Sequence, residues 1–214
     1  MRAHFASLAK QQRCLLRRRR HRIPARNNTA ALRRMDPEGE GAKTVKLVIQ
    51  QCLSARLKPP DPTTEDGEDF GGDERAVRAG MVVFVCFSKG ASEAAAIRAA
   101  EAVAGLRLCE PPPPDVGQES RKRMSVLERR GDVLVVPQFT LGAKLKGRNN
   151  SLQYHGNVDK ADGERLFAAF CAALKARVEE ARGPEGPRVV SGVYGARQRL
   201  AMDTDGPYTH TLQL

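Results

Sequence analysis

Two short segments carry residue types suited to holding a ligand through backbone groups. PQFTL (Pro137–Leu141) follows a Val-rich run, and DGPYTH (Asp205–His210) precedes the last apolar run. Gly206 lets the main chain approach a ligand closely, and Pro207 fixes φ and stiffens the turn. A Gly-Pro pair alone is more often an ordinary turn. Both segments are nevertheless expected at strand ends, where the edge of a sheet forms a pocket.

The sequence lacks the signatures of common hydrolases and metalloenzymes. It has no GxSxG, GxxxxGK[ST] or HExxH motif and no paired Cys or His at metal-ligand spacing. His155 and His210 are the only histidines after the Arg-rich start of the chain, and a lone histidine is more often structural than catalytic. We therefore expect no metal and no cofactor, and no Ser/His/Asp triad is proposed.

The elements that position these segments form a strand-rich pattern with two helices. Thr44–Leu57 favours a strand, with a helix as the alternative, and the unbroken apolar run Met81–Phe87 predicts a central buried strand. Ala-rich Glu93–Leu106, with Ser92 as N-cap, predicts a helix, and Ala161–Arg182 has the spacing of an amphipathic helix.

The remaining strands are predicted around and after the PQFTL segment. Met124–Glu128 and Asp132–Val136 flank an Arg-Arg-Gly turn and predict a hairpin. Three further strands are expected at Val189–Tyr194, Arg197–Met202 and Tyr208–Leu212. The predicted fold class is α/β of the α+β type, with a curved mixed or antiparallel sheet packed against two main helices.

The length of 214 residues suits one domain with loose ends, and the charge of +11 is confined to one of them. Residues 1–34 hold ten Arg, one Lys and no acidic residue, whereas 35–214 is formally neutral. We expect a basic leader at 1–34, read as a transit peptide, an RNA-binding arm or an extension before a start at Met35. Residues 35–214 form the predicted single domain, with an exposed insert at about 58–73.

The cellular setting is predicted from the cysteines and from hydropathy. The five cysteines are an odd number without a CxxC pair, which is typical of reduced thiols in an intracellular protein. No stretch approaches the roughly 18 apolar residues of a membrane span. We expect a cytoplasmic protein without membrane contact, and a mitochondrial one if the leader is translated.

Several motifs taken together resemble one family. PQFTL, the following GAKLKGRN (Gly142–Asn149), TDGPYTH (Thr204–His210) and GVYGARQ (Gly192–Gln198) are similar to the D-aminoacyl-tRNA deacylases, whose paired signatures are SQFTL and NxGPxT. The PQxTL and TxGPxTH forms are those of its animal branch. The resemblance extends over Lys43–Leu214 and implies a deacylase-like fold and hydrolysis of the ester of a mischarged tRNA.

The resemblance also implies a site shared by two subunits. In a homodimer, Gly206 and Pro207 of one subunit would enter the partner's pocket, supported by Tyr208 and Thr209. Main-chain groups around Pro137 would hold the amino acid. The implied catalytic residues are Gln138, Phe139 and Thr140.

A basic loop after PQFTL suits tRNA phosphates. Lys144, Lys146 and Arg148 are the expected tRNA-binding residues, and solvated loop charges are the alternative reading. Thr140 lacks a visible base partner, so we favour attack by water assisted by the terminal ribose hydroxyl.

Two positions depart from the family's bacterial-type pattern. Gln51 stands where an Arg is found in the first strand, and Thr204 stands where an Asn is found. The Gly-Pro geometry can therefore differ, with Arg197 as an anchor, and admit small L-amino acids. Phe139, where the animal branch has a smaller residue, resembles the D-specific enzymes.

The expected substrates are D-aminoacyl-tRNA, glycyl-tRNA and L-alanyl-tRNA(Thr). The alternative functions are a non-catalytic tRNA-binding or RNA-binding dimer and a structural dimerisation module.

Overall fold

The computed structural model describes residues 43–61, 70–110, 122–147, 150–181 and 188–214. The predicted leader lies outside these ranges, and so do residues 62–69, the central half of the predicted insert.

The described chain alternates short strands with helices. The strands are β1 (Val45–Cys52), β2 (Ser54–Lys58), β3 (Arg75–Val77), β4 (Gly80–Phe87), β5 (Arg107–Cys109), β6 (Met124–Ser125), β7 (Asp132–Pro137), β8 (Lys144–Lys146), β9 (Ser151–Gln153), β10 (Val189–Ser191), β11 (Arg199–Asp203) and β12 (Thr209–Gln213). The helices are α1 (Glu93–Gly105), α2 (Val126–Arg129) and α3 (Lys160–Glu180), and a 3₁₀ turn spans Phe139–Gly142.

A five-stranded mixed sheet, in the order β10-β7-β4-β1-β12, forms the centre of the fold. β1 is antiparallel to β4 and β12, whereas β4, β7 and β10 are mutually parallel. β4 lies in the middle of this order, as the run Met81–Phe87 predicted. Because β4 and β7 are parallel, their carboxyl ends lie at one edge of the sheet, where open α/β sheets commonly bind ligands.

Both faces of the sheet are covered because β4 and β7 are apolar at consecutive positions. Met81, Val83 and Val85 pack in the core that also contains α1 and α3. Val82 and Phe84 point to the opposite face. There they pack with residues of a second sheet, of order β11-β2-β3. This arrangement is the predicted mixed α/β fold with two main helices.

Most predicted elements are confirmed. α1 begins after Ser92, whose side chain accepts a hydrogen bond from the amide of Ala95. α3 buries Leu166, Phe170 and Leu174, the apolar stripe that the spacing of three and four predicts. The first predicted strand is interrupted at Leu53, so that β1 joins the main sheet and β2 the second sheet.

The predicted hairpin of Met124–Glu128 with Asp132–Val136 is wrong. Ser125 accepts a hydrogen bond from the amide of Glu128, and the Glu128 carboxylate accepts one from the amide of Ser125. This capping box starts the short helix α2 where the hairpin required a strand. β7 pairs instead with β4 and β10. The S-x-x-E spacing was the signal that the strand assignment overlooked.

A buried carboxylate ties the start of β7 to two other segments. Asp132 is 1% exposed, and its two oxygens accept hydrogen bonds from the amides of Arg78, at 2.9 Å, and Arg188, at 2.8 Å. Burial raises the pKa of this carboxyl, but the two amides and the two guanidiniums outweigh burial and lower it overall. Asp132 thereby holds in place the strand that ends at PQFTL.

Replacing Asp132 with alanine is expected to destabilise the fold. The backbone amides of Arg78 and Arg188 lose their buried acceptor, which costs about 2–4 kcal/mol in the free energy of unfolding at pH 7. Because the folded pKa is depressed, the carboxylate stabilises the fold above the unfolded pKa of about 4, and this contribution is lost as pH falls through the folded value.

Urea unfolding of the wild type and of Asp132→Asn tests this, since asparagine keeps one acceptor and does not titrate. The stability gap between the two should shrink below about pH 4. The exposed Asp203→Asn is the matched control. A gap independent of pH would contradict the role of the charge.

Among the described residues, no helix is long and apolar enough to cross a membrane. The four described cysteines are free thiols, as expected for all five.

Candidate active site

A pocket of about 730 Å³ opens at the carboxyl ends of β4 and β7. Its floor comes from the inner faces of both sheets, including Phe84, Val136, Leu57 and Leu200. These floor residues are apolar, and polar side chains such as Gln138, Asn157 and Gln198 also line the pocket. Such a pocket suits an organic ligand held by a few polar contacts.

The PQFTL segment forms one side of the rim. Pro137, Gln138 and Phe139 line the pocket, and the Phe139–Gly142 turn follows directly. The amides of Phe139 and Thr140 open this turn and donate to no acceptor within the described part of the chain. Free amides at the start of a helical turn are available to a negatively charged oxygen.

Thr140 is exposed at the rim rather than in the pocket. The side-chain nitrogen Nε2 of Gln138 donates a hydrogen bond to the hydroxyl oxygen of Thr140. An amide cannot remove a proton, so Gln138 does not activate Thr140 as a nucleophile. The geometry agrees with the expectation that Thr140 has no base partner.

The opposite wall comes from the segment Gly192–Gln198 and the start of α3. Tyr194 crosses over Gly163, where an added Cβ would lie 1.8 Å from the Tyr194 hydroxyl oxygen. Gln198 closes the loop by accepting a hydrogen bond from the amide of Val193 at 2.7 Å. Lys160 supplies a positive charge at this side of the pocket.

Cys86 lies at the inner end of the pocket, and its thiol is not suited to nucleophilic attack. Burial raises its pKa, although Lys46 and the amide of Gly142 act in the opposite direction. The thiol is therefore neutral near pH 7, and the nucleophile is a thiolate in cysteine hydrolases. A cysteine hydrolase mechanism at this residue is thus disfavoured.

The Gly206–Pro207 segment lies at the other end of the same sheet. Across the sheet, Pro137 of β7 is in register with Val85 of β4, Leu47 of β1 and Leu212 of β12. Tyr208 lies just before β12, four residues from Leu212. Four residues along a strand correspond to about 13 Å, and β12 and β7 are also three strand spacings apart. One chain therefore does not bring its two signature segments together.

The local geometry of that segment is well defined. The Gly206–Pro207 peptide is trans, and Gly206 has φ +116°, which disfavours any residue with a Cβ. The Tyr208 ring packs against Gly206, and the Thr209 hydroxyl donates to Gln50. Tyr208 lines a second cavity of about 240 Å³ instead of the large pocket.

The predicted site residues thus fall into two groups. The structure brings together Pro137, Gln138 and Phe139 at the large pocket, with Thr140 beside it. It places the other predicted substrate-binding residues away from this pocket: Gly206, Pro207, Tyr208 and Thr209.

The predicted tRNA-binding loop forms a separate hairpin. Lys144 and Lys146 are exposed on β8, which pairs with β9. Arg148 lies outside the described residues.

Sequence reasoning missed several pocket residues. Tyr154 and Asn157 line it beside Phe139, whose ring makes an edge contact with Tyr154 at 5.1 Å between centroids. They follow the basic loop, so their proximity to PQFTL depends on the β8–β9 hairpin, which was not predicted. Tyr194 and Gln198 lie in GVYGARQ, a segment noted only for its resemblance.

Comparison with known proteins shows the class to which this fold and pocket belong. The family model described as D-Tyr-tRNA(Tyr) deacylase matches residues 48–213. The chain therefore belongs to the D-aminoacyl-tRNA deacylase family, in its animal-type branch.

Curated relatives named D-aminoacyl-tRNA deacylase 2 support the branch. The chain is 40% identical to the Danio rerio protein over 171 residues, covering 78% of this chain and 98% of the relative. It is 35% identical to the Homo sapiens protein over 180 residues, covering 82% and 98%.

Solved structures show the same fold. One titled as a probable eukaryotic D-amino acid tRNA deacylase matches with a TM-score of 0.63 at 24% identity, covering 80% of this chain and all of that one. The c-Myc DNA unwinding element binding protein matches with a TM-score of 0.59 at 24% identity, covering 79% and 98%.

Proposed function

We propose that this chain hydrolyses the ester that joins a wrong amino acid to the 3′ end of a tRNA. The observation that most supports this proposal is a pair of backbone amides, those of Phe139 and Thr140, that open the turn at the rim of a ligand-sized pocket and have no acceptor among the described residues. The relatives named as deacylases of aminoacyl-tRNA supply the substrate class. The process served is quality control of translation.

The mechanism proposed is attack by water on the ester carbonyl. The carbonyl oxygen becomes an oxyanion, which the amides of Phe139 and Thr140 stabilise as donors fixed in advance. Collapse of the tetrahedral intermediate breaks the bond to the ribose oxygen, which takes a proton. The free amino acid and the intact tRNA leave. A neighbouring ribose hydroxyl orients the water, because the Thr140 hydroxyl is hydrogen-bonded to the side-chain amide of Gln138, which cannot act as a base.

The site is proposed to be complete only in a homodimer. The chain holds its Gly206–Pro207 segment at the end of the sheet opposite its own pocket, so a second copy supplies that segment. By two-fold symmetry each copy then completes the other's site. The trans Gly206–Pro207 turn places main-chain groups at the partner's Phe139.

Exposed apolar side chains lie at the two ends of the sheet that would meet in the dimer, one end carrying the pocket and the other the Gly206–Pro207 segment. Phe139, Leu145 and Leu152 are exposed near the pocket, with Leu145 and Leu152 paired across the β8–β9 hairpin. A second group, near the Gly-Pro segment, is also exposed: Leu53, Met202 and Tyr208. Burial of both groups against a partner removes apolar area from water, which favours association.

Positions that depart from the bacterial-type pattern of the family, such as Gln51, bear on which amino acid the pocket accepts. Gln51 donates to the carbonyl of Leu108 at 2.6 Å, so it does not reach the pocket of its own chain. Arg197 lines that pocket, with its guanidinium carbon 6.0 Å from the centroid of the Phe70 ring, and we propose that it anchors a partner's Gly-Pro turn. We propose that the trans turn admits small L-amino acids, with L-alanyl-tRNA(Thr) as a substrate beside glycyl-tRNA and D-aminoacyl-tRNA.

The β8 lysines are proposed to hold phosphates of the tRNA acceptor stem. Strand alternation places Lys144 and Lys146 on one side of the hairpin, with Leu145 on the other. Arg148 would extend this charge. The proposed setting is the cytoplasm, and the mitochondrion if the leader is translated.

Changing both lysines to glutamine should raise KM more than it lowers kcat. The slope of log affinity against log salt is negative, and each lost phosphate contact reduces its magnitude by about 0.7–0.9, so the double variant should reduce that magnitude by about 1.4–1.8. Lys175→Gln with Arg177→Gln removes equal charge from α3, where both groups pair with glutamates, and serves as the control. An unchanged slope would leave these lysines as solvated charges.

The function is tested by release of labelled amino acid from D-aminoacyl-tRNA, glycyl-tRNA and L-alanyl-tRNA(Thr) with purified protein. Hydrolysis of at least one ester well above the rate without enzyme supports the deacylase. Binding of tRNA without hydrolysis would favour the non-catalytic dimer, and a dimer with neither property would favour the structural module.

A further inference from the structure

We propose that Asn157 is a positioning residue that fixes the Phe139–Gly142 turn, and that glycine at position 142 leaves the space in which it acts. Its consequence for catalysis rests on the proposed deacylase function. Asn157 lies outside both signature segments.

Asn157 contacts the turn through both atoms of its side-chain amide. Its nitrogen Nδ2 donates to the carbonyl of Phe139 at 2.8 Å. Its oxygen Oδ1 accepts from the thiol of Cys86, 3.7 Å away. The Cys86 sulfur also lies 3.6 Å from the Phe139 carbonyl. The two hydrogen bonds of Asn157 fix which way its amide points and tie the turn to β4.

Gly142 is buried directly against this side chain. A Cβ at position 142 would lie 1.7 Å from Oδ1 and 2.6 Å from Cγ of Asn157. No real Cβ makes such contacts, so either the turn or Asn157 must move if any side chain is added. The glycine at the end of the turn and the asparagine are therefore matched to each other.

The backbone around Asn157 is itself held. Its amide donates to the carbonyl of Tyr154 at 3.0 Å, and it forms an isolated bridge with Ser88 next to β4. Elsewhere on the turn, Lys46 Nζ donates to the carbonyl of Leu141 at 3.4 Å. The turn is thus fastened at its first residue by Asn157 and at its third by a side chain of β1.

This fastening matters because the two free amides begin at the residue that Asn157 holds. A donor stabilises an oxyanion only when it is aimed before the reaction begins. Loss of the bond to the Phe139 carbonyl lets the Phe139–Thr140 peptide rotate. Aspartate at position 157 cannot replace asparagine, because an ionised carboxylate has no hydrogen to donate to the Phe139 carbonyl. Its negatively charged oxygen would instead repel that carbonyl oxygen.

A double-mutant cycle tests whether Asn157 and Gly142 depend on each other, using the wild type, Asn157→Ala, Gly142→Ala and the double variant. Asn157→Ala should lower kcat about 10-fold with KM within about twofold, and Gly142→Ala should lower kcat about 100-fold. The double variant should be more active than Gly142→Ala, because truncation at 157 makes room for the added methyl. Gly105→Ala, whose Cβ meets nothing within 4 Å, controls for a Gly-to-Ala change.

A second readout does not depend on catalysis. Hydrogen exchange at the amides of Leu141 and Ala143, which close the turn, should accelerate in Asn157→Ala and Gly142→Ala but not in Gly105→Ala. Multiplicative effects on kcat, or unchanged exchange at these amides, would overturn the proposal. If the wild type hydrolyses no ester, the proposed function fails, and the exchange rates alone decide whether Asn157 positions the turn.

Discussion

Proline at position 139 is expected to lower kcat for ester hydrolysis by about 100- to 1,000-fold, the usual cost of removing one oxyanion donor. Proline has no N–H, so this change deletes one of the two free amides. Phe139 is the first residue of its turn, the helical position where proline is favoured, and Gln138 before it, with φ −139° and ψ 81°, lies outside the α region that a following proline disfavours. The loss should appear in kcat rather than KM, since the donor acts chiefly on the transition state.

Phe139→Ala is the matched control for that change. It removes the same exposed ring, including its contact with Tyr154, but keeps the amide. Deacylation kinetics of the two variants should differ by most of the predicted factor. Equal kcat values would show that the amide of residue 139 does not stabilise the oxyanion.

Replacing both Gly206 and Pro207 with alanine is expected to lower kcat/KM by about 100-fold, the cost of misplacing groups at a reacting centre by about 1 Å. At φ +116° an alanine Cβ would lie 2.5 Å from the Tyr208 ring, so the turn must change shape. The segment is exposed in the chain itself, so the loss of stability should be small by comparison.

Thermal unfolding measured beside deacylation separates these two effects. Gly105→Ala should retain wild-type activity, and the Gly-Pro variant should unfold near the wild-type temperature while losing activity. An active Gly-Pro variant would remove this segment from the site.

The fold was largely predictable because burial follows periodicity. The unbroken apolar run of β4 required cover on both faces, and the spacing within α3 indicated one buried stripe. The failure at Met124–Glu128 arose where a local capping box competed with a Val-rich neighbour. Two hydrogen bonds between Ser125 and Glu128 favour the helix over the strand, and the pattern of apolar residues gives no information about them.

The site was predictable only in its named segments. PQFTL and DGPYTH were identified through residue type and resemblance, but their separation along the sheet depends on strand register. Asn157 was overlooked because an isolated asparagine in a loop has no pattern. Its role follows from long-range contacts with Phe139, Cys86 and Gly142.

Mixing two inactive variants tests most directly whether the site is completed by a partner. One chain carries Phe139→Pro with an intact Gly206–Pro207 segment, and the other carries the Gly206/Pro207 double change with an intact turn. After unfolding and refolding together, half of the dimers are mixed, and each has one intact site. If a partner completes each site, the mixture should recover about a quarter of wild-type deacylation per chain. Activity no higher than the mean of the two separate variants would contradict a site shared between two copies.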